Sequence, residues 1–311
     1  MRLLFIGTAD FATATLQALQ ASSHTIAAVV TQPDRPAGRG QRLRPSPIAA
    51  TAAAMGIPVL KPESLKPPVI LETLRSHATE CIVVAAYGMM IPPPLLTLPP
   101  HGCVNLHPSL LPKYRGAAPI QHALLNGETL TGVTTIVLVE AMDAGDILLQ
   151  EKVPIAPGET APALTDRLAR LGASLVVRTL DGLEARQITP RPQDGRAATF
   201  APLLAKDDGR IDWHRPAHQI INQIRALQPW PSAFTRLHGR RLQIFRGEIP
   251  EDRRVPPGST PGTVIAVTRS IHIVTGDGRL CLTELQLEGK RRMVSEELLR
   301  GYPVAVGEVC Q

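Results

Sequence analysis

The chain has 311 residues, 44% of them hydrophobic and 19% charged, with a formal net charge of +6. That balance excludes a disordered protein and leaves room for two hydrophobic cores. No apolar run approaches the ~18 residues of a membrane span, so no membrane attachment is expected. The opening stretch breaks at Gly7-Thr8-Ala9-Asp10, too soon for a signal-peptide core, and a cytoplasmic protein is expected. From the N-terminus, short apolar runs at 3–6, 26–30, 57–60, 82–86 and 104–107 read as strands. Between them, 11–19, 47–55 and 69–77 carry helical spacing.

This alternation predicts a Rossmann-like α/β fold, a largely parallel sheet with flanking helices. In such sheets ligands sit beyond the carboxyl ends of the strands. The first turn, Gly7-Thr8-Ala9-Asp10-Phe11-Ala12, lacks the GxGxxG pattern, so nothing argues for a nicotinamide cofactor. Strands at 133–139 and 147–155 are expected to pair antiparallel around a turn holding Asp143. A long helical pattern over 160–183 then closes a first domain of residues 1–188.

Pro190, Pro192, Gly195 and Pro202 mark 189–206 as a linker. Residues 207–311 read as a second domain, a small C-terminal β-barrel, OB-like in kind. A helix over 218–227 precedes short strands at 242–246, 262–267, 271–275 and 280–287, with turns such as Gly276-Asp277-Gly278. Cys81, Cys103, Cys281 and Cys310 form neither a CxxC pair nor a Cys/His cluster, so free thiols and no metal are expected.

The chemistry concentrates in Asn105-Leu106-His107-Pro108-Ser109-Leu110-Leu111-Pro112 and, 36 positions beyond His107, in Met142-Asp143-Ala144-Gly145-Asp146. Asn105 and His107 are two apart, so at a strand end they point to the same side. An amide, an imidazole and a carboxylate with no nucleophilic Ser or Cys beside a base suit acyl transfer between two bound substrates. The Asn105 amide can donate to an oxygen that becomes negative as an amine attacks. His107 can share that task or accept a proton from the attacking ammonium. Asp143 has three open roles: orienting His107, holding a relay water, or taking the amine proton itself. Asp146 is read as structural. Leu110 and Leu111 suit the wall of a flat heteroaromatic site and ordinary core equally well.

Residues 32–44 place Arg35, Arg39, Arg42 and Arg44 among prolines and glycines, a composition read as neither helix nor strand. A surface loop presenting guanidinium groups to phosphates or base edges is expected, beside the plainer reading of a solvated loop.

These segments resemble the folate-dependent formyltransferases. The two polar motifs are shared across that group. The stretch 32–40, Arg115-Gly116-Ala117-Ala118-Pro119-Ile120, Asp208-Gly209-Arg210-Ile211-Asp212-Trp213 and Gln228-Pro229-Trp230-Pro231 resemble its branch that acts on charged initiator tRNA. The resemblance implies transfer of formyl from 10-formyltetrahydrofolate, the donor cosubstrate, to the α-amino group of methionine on initiator tRNA. It implies catalytic roles for Asn105, His107 and Asp143, and a folate-binding stretch of Ser109, Leu110, Leu111 and Pro112. It also implies tRNA contacts by Arg35, Arg39 and Arg42, with Arg39 foremost near the end of the acceptor stem, and a chain acting as a monomer without a metal. Ala144 stands where the group usually has Thr, which removes a hydroxyl beside Asp143. The main alternative is a relative acting on a sugar-nucleotide or other small-molecule amine. From a different class, the chain is a non-catalytic RNA-binding protein on the same scaffold.

Overall fold

A computed structural model describes residues 1–37 and 42–311. Contacts divide the chain into two units. Met1–Pro119, Leu130–Pro154 and Thr165–Pro202 form one, and Ile120–Thr129, Ile155–Leu164 and Leu203–Gln311 form the other.

In chain order the elements up to residue 202 begin with β1 (Arg2–Gly7), α1 (Thr13–Gln20), β2 (Thr25–Val30), β3 (Arg35–Ala37) and β4 (Arg42–Arg44). Next come α2 (Pro47–Ala54), β5 (Val59–Leu60), α3 (Pro68–Ser76), β6 (Cys81–Ala85), α4 (Pro93–Leu96) and β7 (Cys103–His107). They end with β8 (Arg115–Gly116), α5 (Pro119–Leu125), β9 (Leu130–Val137), β10 (Ile147–Pro154), α6 (Ala161–Glu184) and β11 (Phe200–Ala201).

The main sheet has the order β10-β9-β7-β6-β1-β2-β5. Its five strands from β7 to β5 are parallel, β9 runs antiparallel to β7, and β10 antiparallel to β9. Leu4, Ile6, Val30, Ile82 and Val84 pack with Leu65, Leu74 and Leu95 of the covering segments, so these strands read as continuous apolar runs. Gly7 lies opposite Ala85, and Val84 opposite Asn105, which brings the carboxyl ends of β1, β6 and β7 level. α2 starts where the Ser46 hydroxyl accepts from Ala49 N–H, with Pro47 in the first turn, where its missing N–H costs nothing.

Two regions differ from the sequence reading. Within 32–44, β3 and β4 pair antiparallel, with Pro36 opposite Leu43. A two-stranded ribbon leaves one side of each strand without a partner, so a proline can occupy it without breaking a ladder bond. Residues 189–202 carry no period because isolated pairings place them. Arg191 and Ile147 exchange backbone bonds of 2.8 and 2.9 Å, and β11 pairs with β8.

The second unit holds α7 (Ala217–Ala226), β12 (Ala233–Leu237), β13 (Arg240–Glu248), β14 (Val264–Val267), β15 (Ile271–Thr275), β16 (Gly278–Leu287), β17 (Met293–Val294) and α8 (Ser295–Gly301). Its antiparallel sheet has the order β12-β13-β16-β15-β14, with β17 on β16. Leu242, Ile244, Ile271, Ile273, Leu282 and Leu285 form its core with Ile220 and Ile224 of α7. Residues 309–311 bridge the two edges. Val309 pairs with Thr263 beside β14, and Gln311 exchanges bonds of 2.7 and 2.9 Å with Arg236 of β12. These bridges carry the sheet toward barrel-like closure. Among the described residues no helix is long and apolar enough to cross a membrane.

Candidate active site

Asn105 and His107 end strand β7, on the face opposite Leu106. Leu106 lies so close to α6 that a Cβ on Gly172 would come within 2.6 Å of it. Both polar residues are buried, at 8% and 4% exposure. Among the described residues the Asn105 carboxamide has no hydrogen-bond partner.

The chain after β7 folds back over His107. A cis peptide joins Leu111 to Pro112. The buried Ser109 hydroxyl donates to the Lys113 carbonyl at 2.6 Å, and Thr134 Oγ1 donates to the Ser109 carbonyl at 2.6 Å. Gln150 Nε2 donates to the Leu111 carbonyl at 3.0 Å. These bonds fix the loop, and they commit Ser109 to it. Leu111 is also buried, whereas Leu110 and Pro112 are half-buried. Folding back brings the Tyr114 carbonyl to 2.9 Å from His107 Nε2. A carbonyl only accepts, so Nε2 carries the proton, and in the neutral ring Nδ1 is the free lone pair.

Asp143 comes from the turn between β9 and β10, and its Oδ2 stands 3.6 Å from His107 Nδ1. The same oxygen accepts from the Gly116 N–H at 2.9 Å. Asp143 has φ +48°, in the left-handed region. Two residues on, a side chain at Gly145 would drive its Cβ to 1.7 Å from the Val137 carbonyl, so the turn needs glycine there. The Asp146 carbonyl accepts from Val137 N–H at 3.0 Å and closes the hairpin. The structure thus brings the imidazole and the carboxylate together, with Asn105 two residues before His107 on the same face of β7.

Sequence reasoning missed Gln193, read as linker. Its Nε2 donates to the carbonyls of Asp143 and Gly145 at 2.8 and 2.7 Å. Its Oε1 accepts from Arg115 Nε and Nη2 at 3.2 and 2.7 Å. The anchoring role of Tyr114 was also missed; φ is +63° there and +122° at Gly116. Arg35 is exposed on the β3–β4 ribbon, as is Arg44; Arg42 lies in β4, and Arg39 falls outside the described residues. Burial pushes the Cys103 thiol, next to the site on β7, up to about 12, with Cys81 adding to the effect, so it is no nucleophile. Among the described residues no group of three or more His, Cys, Asp or Glu could hold a metal.

The sequence profile of the formyl transferase family matches residues 1–180, and that of the formyl transferase C-terminal domain matches residues 203–303. The chain belongs to the formyl transferase family. It is similar to the methionyl-tRNA formyltransferase of Moorella thermoacetica, 48% identical over 310 residues and covering 99% of both chains. Among solved structures it shares the fold of WlaRD, a sugar 3N-formyl transferase, with a TM-score of 0.68 at 17% identity over 94% of this chain and 99% of that one. It also shares the fold of Aquifex aeolicus HypX in complex with tetrahydrofolic acid, with a TM-score of 0.64 at 18% identity. That match covers 98% of this formyl transferase and 48% of HypX, so the chain spans about half of HypX.

Proposed function

We propose that this chain transfers the formyl group of 10-formyltetrahydrofolate to the α-amino group of methionyl initiator tRNA, serving initiation of translation. The carrying observation is its likeness, at 42–48% identity over nearly the whole chain, to enzymes named methionyl-tRNA formyltransferase. The Asn105–His107–Asp143 cluster supplies the chemistry that such a transfer needs. The sugar-amine alternative draws on solved structures at 17–19% identity, and it is not favoured.

In the proposed reaction the amine nitrogen attacks the formyl carbon, and the carbonyl oxygen becomes an oxyanion. The Asn105 carboxamide, without a hydrogen-bond partner among the described residues, donates to that oxygen, a contact that strengthens as charge develops. With Nε2 held by Tyr114, His107 uses Nδ1 to accept the proton released by the amine. The Asp143 carboxylate, 3.6 Å away, stabilises the resulting imidazolium. The bond from formyl carbon to folate N10 then breaks, and N10 takes up a proton as it leaves. Leu110 and Pro112, half-buried, face the folate, while the buried Ser109 and Leu111 support them.

The β3–β4 ribbon, with Arg35 and Arg42, meets the acceptor end of the tRNA together with Arg39. The basic C-terminal domain, residues 207–311, holds the rest of the acceptor arm. The enzyme acts in the cytoplasm as a monomer and uses no metal. The deciding assay supplies 10-formyltetrahydrofolate and compares formyl incorporation into methionyl initiator tRNA, methionyl elongator tRNA and a sugar-nucleotide amine. Incorporation into the initiator tRNA well above the other two is expected; preference for the sugar amine would reverse the reading.

A further inference from the structure

We infer that Gln193 is a positioning residue for formyl transfer, holding Asp143 in register with His107; this rests on the function proposed above. The residue uses its full hydrogen-bonding capacity. Both Nε2 protons go to backbone carbonyls of the Asp143 turn, and both lone pairs of Oε1 are met by Arg115. Its neighbours Pro192 and Asp194 are exposed, whereas Gln193 is half-buried. A glutamine tying two segments 50 positions apart is a specific clamp rather than a surface polar group.

The clamp acts on a turn held in the left-handed region. Asp143 is a non-glycine residue at φ +48°, a conformation that costs about 1 kcal/mol or more and persists only where its surroundings impose it. The two carbonyls bonded to Gln193 flank Ala144, so they set the direction of the whole turn. The other end of the clamp reaches the segment that anchors the remaining groups. Tyr114 holds His107 through its carbonyl, Gly116 holds the Asp143 carboxylate through its N–H, and Arg115 between them holds Gln193. One three-residue segment therefore sets imidazole and carboxylate together. Arg115 also polarises the Gln193 amide, which strengthens the two bonds it donates.

Gln193→Glu is the diagnostic variant. It keeps the shape and the contact to Arg115, but it turns an oxygen toward the carbonyls of Asp143 and Gly145 and repels them. Displacement of a catalytic group by about 1 Å costs on the order of 10²-fold in rate. We expect kcat for methionyl initiator tRNA to fall about 10- to 100-fold, with KM for both substrates within about twofold and an unchanged fraction of folded protein. Arg115→Met, which frees the far end of the clamp, should lose kcat in the same direction by a smaller factor. Wild-type kcat in Q193E overturns the inference, as does a loss that only tracks unfolding or rising KM. Should Q193E not fold, R115M decides: reduced kcat at unchanged KM supports the clamp, and wild-type kcat overturns it. Failure of the unmodified enzyme to formylate the tRNA would instead remove the proposed function, so the two failures are distinguishable.

Discussion

The Tyr114 carbonyl oxygen lies 2.9 Å from His107 Nε2, which anchors that nitrogen and leaves Nδ1 facing Asp143. His107→Gln places an amide N–H near the Nε2 position and keeps the bond to Tyr114, whereas His107→Ala removes both nitrogens. Turnover should fall by about 10²-fold or more in both variants, the usual scale for a lost acid–base group. Only H107A should also lose stability, by about 1–3 kcal/mol, because it leaves a buried carbonyl without its donor. Steady-state kinetics beside thermal unfolding check this. Equal unfolding midpoints in the two variants would remove the anchoring role.

Asn105 stands almost buried with its carboxamide unpartnered among the described residues. An amide so placed is free to donate to a bound ligand. Asn105→Ala should lower kcat by about 10²–10³-fold, as loss of one oxyanion donor does elsewhere, with little change in tRNA affinity. Asn105→Asp matches the shape but carries negative charge toward the developing oxyanion, so it should be at least as slow. Single-turnover formylation measures both, and near-normal rates in either would assign the oxyanion to other donors.

The arginine-bearing segment makes a separable prediction. If Arg39 meets the acceptor end, Arg39→Ala should raise KM for methionyl initiator tRNA by about tenfold, the scale of one lost charge-assisted contact. KM for 10-formyltetrahydrofolate should stay unchanged. Identical tRNA kinetics in the variant would discard the contact.

Much of this architecture was legible because burial writes itself into composition. Strands such as Cys81–Ala85, covered on both faces, appear as unbroken apolar runs. The parity of Asn105 and His107 follows from strand geometry alone. What stayed hidden has no local signature. The β3–β4 ribbon is masked by Pro36, and Ala233–Leu237 by the prolines 229 and 231 just before it. The two-residue pairing of β8 with β11 is too short to show a period. Gln193 reaches Asp143 across 50 positions through side-chain contacts that follow no pattern in the sequence.

Thiol reactivity should mirror burial. Desolvation raises Cys81, Cys103 and Cys310 each to about 12, far above the pH at which alkylation is run, whereas Cys281 is only half-buried. The native protein at pH ~8 should therefore take up iodoacetamide at Cys281 alone, with the other three labelled after unfolding, since only the thiolate reacts. Mass spectrometry of labelled peptides reads this directly. Fast native labelling of Cys103 would show that the β7 end opens to solvent.

Gly116 joins stability to chemistry more tightly than any other position in the site. Its φ of +122° is closed to side-chain-bearing residues, and a Cβ there would stand 2.6 Å from the Ala201 carbonyl oxygen. Gly116→Ala must therefore push β8 off β11 and move the N–H that holds the Asp143 carboxylate. Backbone strain of this kind costs about 1–3 kcal/mol, so the unfolding midpoint of the first unit should drop by about 2–10 °C. At a temperature where the variant is still fully folded, kcat should remain depressed, because the carboxylate loses its backbone anchor while the proposed folate wall at Leu110 and Pro112 is untouched. Calorimetry with kinetics well below the transition separates the two effects. Normal turnover in folded G116A would mean that the N–H holds the turn but contributes nothing to the reaction.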